Sequence, residues 1–323
     1  MPTHPTKSNH ALGLAQAPPQ TLHHAFAPLT DDPAGITQAL AYTRRLTGSH
    51  YENFSVVSRL LPAELRQDFC NVYAFCRVAD DLGDESGDRS KALELLAGFK
   101  DQTHDLYCGQ VKTAVFLALR ETIRRHDIPP QPFLDLIDAF EQDQRLTRYQ
   151  TFEQVVEYCR RSADPVGRLV LYLCGYRDPQ RQQLSDRTCT ALQLTNFWQD
   201  VRRDLLERDR IYLPQESMQR FGVTEEQLRQ GRCDDSYRRL IEFEVTRTAA
   251  LFDEGEKLLP LLDRRYRGQI ALFGQGGRAI LQAIRNQHYD TLTRRPRLGK
   301  LQKLRLVLSV LIGRLIAGTG KVG

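Results

Sequence analysis

No CxxC pair and no Cys/His cluster occurs in this chain, although it holds seven cysteines: Cys70, Cys76, Cys108, Cys159, Cys174, Cys189 and Cys233. An odd, scattered set lacks the ligand spacing of a zinc site and reads as reduced, buried thiols in a cytoplasmic protein. Strand-like alternation is missing too, and no internal repeat of fixed period stands out. There is no GxxxxGK[ST], and Gly274-Gln-Gly-Gly277 follows a helical rather than a strand pattern, which counts against nucleotide binding. The apolar run Leu306–Ile312 is too short, and too soon interrupted by Arg314, to span a bilayer. Residues 1–33, with His4, His10, His23, His24 and several prolines, show neither helical periodicity nor the apolar core of a secretory signal. They are expected to form a disordered or loosely packed leader.

What is present is helix. The 323 residues are 41% apolar and 26% charged, ordinary globular usage and enough chain to bury a large core. Helical spacing predicts helices near 34–47, 62–86, 89–107, 112–127, 131–147, 152–161, 165–176, 179–207, 217–229, 234–263 and 266–292. Pro62 suits a first helical turn, Pro129-Pro130 breaks the chain, and Asp178 or Ser185 can begin the long helix over 179–207. No linker divides the body, so one all-α domain over 34–293 is expected.

The net charge of +5 is unevenly spread. Eight Lys/Arg and no acid follow Thr291, leaving 37 basic against 40 acidic residues for the rest. In this segment, 294–323, cations flank the apolar Leu306–Ile312, a pattern that suits peripheral contact with an anionic membrane better than nucleic acid. A last core helix with a basic exposed face fits the same residues equally well.

Two acidic helix faces carry the chemistry. At about 100° per residue, Tyr73, Arg77, Asp80 and Asp84 fall within about 60° of one another. Asp81 and Glu85 add to the charge of the last two turns, where the helix dipole is already negative. Taken alone, this segment reads more readily as a solvated acidic helix end than as a site. The second face aligns Gln193, Asn196, Asp200 and Asp204 within about 80°. Leu192, Leu194, Phe197, Trp198 and Val201 cover most of the remaining circumference, so these acids are expected to be buried and in need of partners. Neutral amide oxygens beside carboxylates are ligands for a hard cation such as Mg²⁺, which takes few protein oxygens and completes its octahedron with phosphate oxygens. Together the two faces point to Mg²⁺-assisted ionisation of a prenyl diphosphate.

Over roughly residues 50–295 the motifs resemble the squalene/phytoene synthase family, and several occur in order. Asp80-xxx-Asp84, preceded by Tyr73 and Arg77, resembles its first DxxxD. Gln193, Asn196, Asp200 and Asp204 match its QxxNxxxDxxxD, followed by Arg210-Ile-Tyr-Leu-Pro214. Tyr158-Cys159 stands before Val166-Gly167 as in the family's YC…VxG stretch, and Tyr289 matches a substrate-contacting tyrosine. The departures are His50-Tyr-Glu-Asn-Phe54, the stretch 158–167, Gln199, and Asp200-Val-Arg-Arg-Asp204 in place of DVGED. They resemble the hydroxysqualene synthase branch of the bacterial hopanoid route.

The resemblance implies a single-domain isoprenoid synthase helical bundle around a central hydrophobic cavity, with the acidic motifs facing each other. It implies Mg²⁺ on Asp80, Asp84, Asn196, Asp200 and Asp204, and substrate contacts from His50, Asn53, Tyr73, Arg77, Gln193 and Tyr289. Tyr158 would act with Asp80, Asp84 and Asp200 in catalysis, while Glu52 and Gln199 depart from the family's diphosphate contacts. The expected substrate is presqualene diphosphate and the expected product hydroxysqualene. Neighbouring pathway enzymes are expected partners, and the expected location is cytoplasmic or on the inner membrane face. Squalene synthase and phytoene or dehydrosqualene synthase are the enzymatic alternatives. A non-catalytic assembly or lipid-binding relative would show eroded acidic motifs, and here both are intact.

Overall fold

Side-chain caps start five of the helices. Asp88, Thr151, Asp178, Thr224 and Asp234 each accept a hydrogen bond from a backbone N–H in the first turn, satisfying donors that a helix start otherwise leaves unpaired. The computed structural model describes residues 25, 26, 28–49, 61–84 and 86–299. Twelve α-helices are delimited among them: α1 (Pro33–Ser49), α2 (Arg66–Asp84), α3 (Arg89–Tyr107), α4 (Ala114–His126), α5 (Gln131–Asp143), α6 (Phe152–Ser162), α7 (Asp164–Leu173), α8 (Pro179–Arg208), α9 (Gln215–Phe221), α10 (Glu225–Gln230), α11 (Asp235–Glu256) and α12 (Arg264–Asn286). No strand occurs among the described residues, only two isolated bridges. All seven cysteines are free, and no helix among the described residues is long and apolar enough to cross a membrane.

Most helices lie where their periodicity placed them, and the differences have local causes. The helix expected over 217–229 is two, because Gly222 turns left-handed at φ 69° and Thr224 caps a new start. The expected 234–263 helix stops at Glu256, ahead of a 3₁₀ turn at Leu259–Leu261 that contains Pro260. The last helix ends at Asn286 rather than near 292, and His288 and Tyr289 follow with φ of 49° and 60°.

The described chain forms two compact units. The first comprises the described residues up to Leu146 together with Pro165–Arg177. Its centre is α2, packed on α1, α3, α4 and α5. Phe75 anchors an aromatic core, with ring centroids 4.9 Å from Phe99, 4.9 Å from Phe133 and 6.0 Å from Phe116. Two buried polar side chains on the same helix, Asn71 and Asp68, are satisfied by its neighbours. Asn71 accepts from Thr43 Oγ1 at 2.6 Å and donates to the Ala118 carbonyl and Thr122 at 3.0 Å each. Asp68 accepts from Thr122 at 2.9 Å and from Arg125 at 2.9 Å.

The second unit comprises Thr147–Asp164 and the described residues from Asp178 on. Its axis is the 30-residue α8, begun by Asp178 and Pro179 and packed on α6, α11 and α12. Two glycines set how closely these helices approach. A Cβ on Gly255 would lie 2.9 Å from the Thr188 backbone nitrogen, and one on Gly277 would lie 2.4 Å from Phe252 Cζ and 2.8 Å from Leu192 Cδ2. Gly277 thus serves helix packing, in keeping with its helical context. Trp198 Nε1 donates to Thr248 Oγ1 at 2.8 Å and fixes α8 against α11.

Candidate active site

The first acidic face is buried, not solvated. Every residue from Asn71 to Gly83 is buried, with Asp80 3% and Asp81 2% exposed. This corrects the reading of the segment as a solvated helix end, and the reason is position: α2 is surrounded by four other helices of its unit. Arg77 Nη2 lies 2.5 Å from Asp81 Oδ1, and its Nη1 lies 3.8 Å from Asp80 Oδ2. Burial works against the Arg77 charge, but Asp80 and Asp81 outweigh it and hold the guanidinium above its ordinary pKa. Asp81, off the expected stripe, is therefore the counter-ion that fixes Arg77. Tyr73 is buried one turn before Arg77, and Asp84 closes the helix with partial exposure.

The second face is buried as its apolar surroundings required. Gln193 is 1%, Asp200 2% and Asp204 5% exposed, while Asn196 is half-buried. Burial, followed by the charge of Asp200 one turn away, pushes the Asp204 carboxyl well above the usual carboxylate range, against the pull of Arg208, Arg210 and Arg203. Two buried atoms on this face, Gln193 Oε1 and Asp204 Oδ2, have no hydrogen-bond partner among the described residues. Buried oxygens are rarely left this way without a ligand to meet them. The donor set of two carboxylates, an amide oxygen and a half-buried Asn fits a hard cation in chemistry. Among the described residues no group of three or more Asp, Glu, His or Cys forms a preassembled metal cluster, so other oxygens would have to complete any coordination sphere.

Aromatic rings border the stripe. Phe197 lies about 20° around α8 from Asp204 at about 100° per residue, and its ring stacks on Tyr212 at 3.7 Å. Tyr158, 2% exposed, sits 5.6 Å from Tyr212, 5.7 Å from Tyr149 and 6.0 Å from Phe197. Tyr212 belongs to the Arg210–Pro214 stretch, held in place where Ile211 N donates to the Thr147 carbonyl at 2.9 Å. The structure therefore brings Tyr158 together with the second motif's helix.

Tyr289 is not brought to that face. Its hydroxyl donates to Glu242 on the exposed side of α11 at 3.2 Å. His50, Asn53, Glu52 and Glu85 lie outside the described residues, as do Leu306–Ile312 and the rest of the basic segment after Gly299.

One partnership has no local sequence signal. Arg295 makes a two-point ion pair with Asp200, Nε to Oδ1 and Nη2 to Oδ2, the latter at 2.8 Å. Beside it Gln199 Nε2 donates to the Pro296 carbonyl. Asp200, Arg202, Arg203, Thr291 and Arg295 help line a pocket of about 210 Å³ on this flank. The pairing spans 95 residues, beyond any helical spacing, and sequence shows only the acidic motif at one end and a basic run at the other.

The Squalene/phytoene synthase family profile matches residues 47–302. Squalene synthase HpnC from Alicyclobacillus acidocaldarius is 48% identical, with a TM-score of 0.75, covering 80% of this chain and 97% of that one. A dehydrosqualene synthase in complex with a ligand is 27% identical, with a TM-score of 0.78, covering 87% and 98%. The phytoene synthase of Mycobacterium tuberculosis is 32% identical over 287 residues, 88% of this chain and 94% of its own length.

Proposed function

The chain belongs to the squalene/phytoene synthase family, with that family's all-helical isoprenoid synthase fold, and we propose that it converts presqualene diphosphate to hydroxysqualene with Mg²⁺. The observation that carries the diphosphate chemistry is the buried second face, where Gln193 Oε1 and Asp204 Oδ2 have no hydrogen-bond partner among the described residues. The choice of reaction within the family is supported by the 48% identity to a squalene synthase HpnC and by the Arg202-Arg203 departure between the two acids.

In this reading Asp80 and Asp84 on α2, and Asn196, Asp200 and Asp204 on α8, hold the metal ions. Bound Mg²⁺ supplies positive charge for the departing diphosphate. Arg77, fixed in its charged form by Asp81, and the Gln193 amide orient the phosphate oxygens. The bond from the cyclopropylcarbinyl carbon to the diphosphate oxygen breaks, and its electron pair leaves with the diphosphate. Tyr158, Tyr212, Tyr149 and Phe197 keep bulk water out and present ring faces that stabilise positive charge. A single water oxygen then bonds to the rearranged cation and gives up a proton, leaving an alcohol and diphosphate. No carbon is reduced, so no hydride donor is needed, whereas squalene would require one.

Condensation of two prenyl diphosphates is a second reading, favoured by the phytoene and dehydrosqualene synthases among the relatives. The two are separated by product analysis. Presqualene diphosphate with Mg²⁺ and no reductant should give hydroxysqualene, and Asp80→Ala and Asp200→Ala should each abolish turnover with helicity retained. Consumption only of farnesyl or geranylgeranyl diphosphate, or squalene formed only with NADPH, would overturn the proposal.

A further inference from the structure

We propose that Arg295 is the resident cation of Asp200 in the metal-free protein, and that a divalent ion binding there must displace it. Arg295 then sets the metal affinity of the second motif. The inference rests on the metal reading above and extends it to a residue outside both motifs.

The geometry is that of a competitor. A guanidinium meeting a carboxylate at two points uses both oxygens that a cation would coordinate. Asp200 is 2% exposed, so its carboxylate is shielded from water and salt, while Arg295 reaches it from a half-buried position. Two carboxylates one turn apart in a buried setting need such a cation whenever metal is absent.

The backbone around Arg295 is built to hold it there. Tyr237 and Thr291 share a hydrogen bond of 2.6 Å, Gln287 Nε2 donates to the Arg294 carbonyl at 3.0 Å, and Gln199 grips the Pro296 carbonyl. The pocket of about 210 Å³ that Arg295 itself lines offers space for the guanidinium to swing aside without unseating this segment. Arg295 is thus placed to leave and return by side-chain rotation alone.

The test is a Mn²⁺ titration followed by electron paramagnetic resonance on the full chain without substrate, with thermal unfolding in EDTA alongside. Arg295→Gln should bind Mn²⁺ about tenfold more tightly than wild type, about 1.4 kcal/mol, while melting at a lower temperature in EDTA. Arg295→Lys keeps the charge but not the two-point pair, and should bind Mn²⁺ more tightly than wild type by a smaller factor. It carries the test if the Gln variant does not fold. Asp200→Asn is the control and should lose Mn²⁺ affinity. If it does, and neither Arg295 variant binds more tightly than wild type, the competition proposal is overturned alone. If Asp200→Asn binds Mn²⁺ as wild type does, the metal reading falls and takes this inference with it.

Discussion

Replacing Asp204 by Asn should stabilise the metal-free protein while weakening its hold on metal. Side chains at i and i+4 lie about 6 Å apart, and two unit charges at that distance repel by about 3 kcal/mol at an effective dielectric of about 20. Arg295 and the arginines near Asp204 offset part of this, so a gain of about 1–3 kcal/mol is expected in EDTA. For units of this size that corresponds to about 2–12 °C in melting temperature. The substitution is nearly isosteric, and Asp204 Oδ2 has no hydrogen bond to lose among the described residues. In Mg²⁺ the order should reverse, because wild type gains binding energy that the variant forgoes.

The pH dependence gives this prediction its sign. The folded-state pKa of Asp204 is raised by burial and by Asp200, so the folded protein holds this proton more tightly than the unfolded chain. Wild-type stability in EDTA therefore contains a contribution that is lost as pH rises from the ordinary Asp value of about 3.9 toward the raised one. Asp204→Asn lacks that loss. Denaturant titrations at acidic and neutral pH should show the variant's advantage growing with pH. An advantage equal at pH 4 and pH 8, or a variant less stable than wild type in EDTA, would refute the argument that these two charges strain the helix.

Two further substitutions probe the scaffold. Gly277→Ala places a methyl 2.4 Å from Phe252 Cζ and 2.8 Å from Leu192 Cδ2, and should cost about 1–3 kcal/mol in urea denaturation as α8, α11 and α12 shift. Asn71→Ala removes three buried hydrogen bonds in the first unit's core, with Thr43, the Ala118 carbonyl and Thr122, and should cost about 1–3 kcal/mol in the same assay.

Helix positions were legible because their signals are local. The 89–107 helix emerges with the expected bounds, and α8 within one residue, since cap, period and stop all lie in the segment itself. The split at 217–229 has a different cause: Gly222 and Thr224 interrupt a pattern whose apolar period runs on through them. Burial of the second motif was also legible, because the apolar residues that enclose it share its helix. Burial of the first was not. Asp80 and Asp81 are buried on a helix that packs on four others of its unit, and nothing within residues 69–85 reports those helices.

Charge counted by segment carries the same blind spot. Arg294, Arg295 and Arg297 were grouped with the later cations as one basic tail, yet Arg295 is an internal counter-ion of α8 and Pro296 is gripped by Gln199. A net charge of a stretch states how many cations it holds, not which are already spent on carboxylates elsewhere. Arg295 is subtracted from any charge available to an anionic membrane, and in exchange it makes the metal-free state of a buried carboxylate pair tolerable. The acid pair and the distant arginine are therefore better regarded as one electrostatic unit than as a motif and a tail. Its stability and its metal affinity are opposed, since whatever holds Arg295 more firmly on Asp200 makes the same carboxylate harder for a divalent ion to reach.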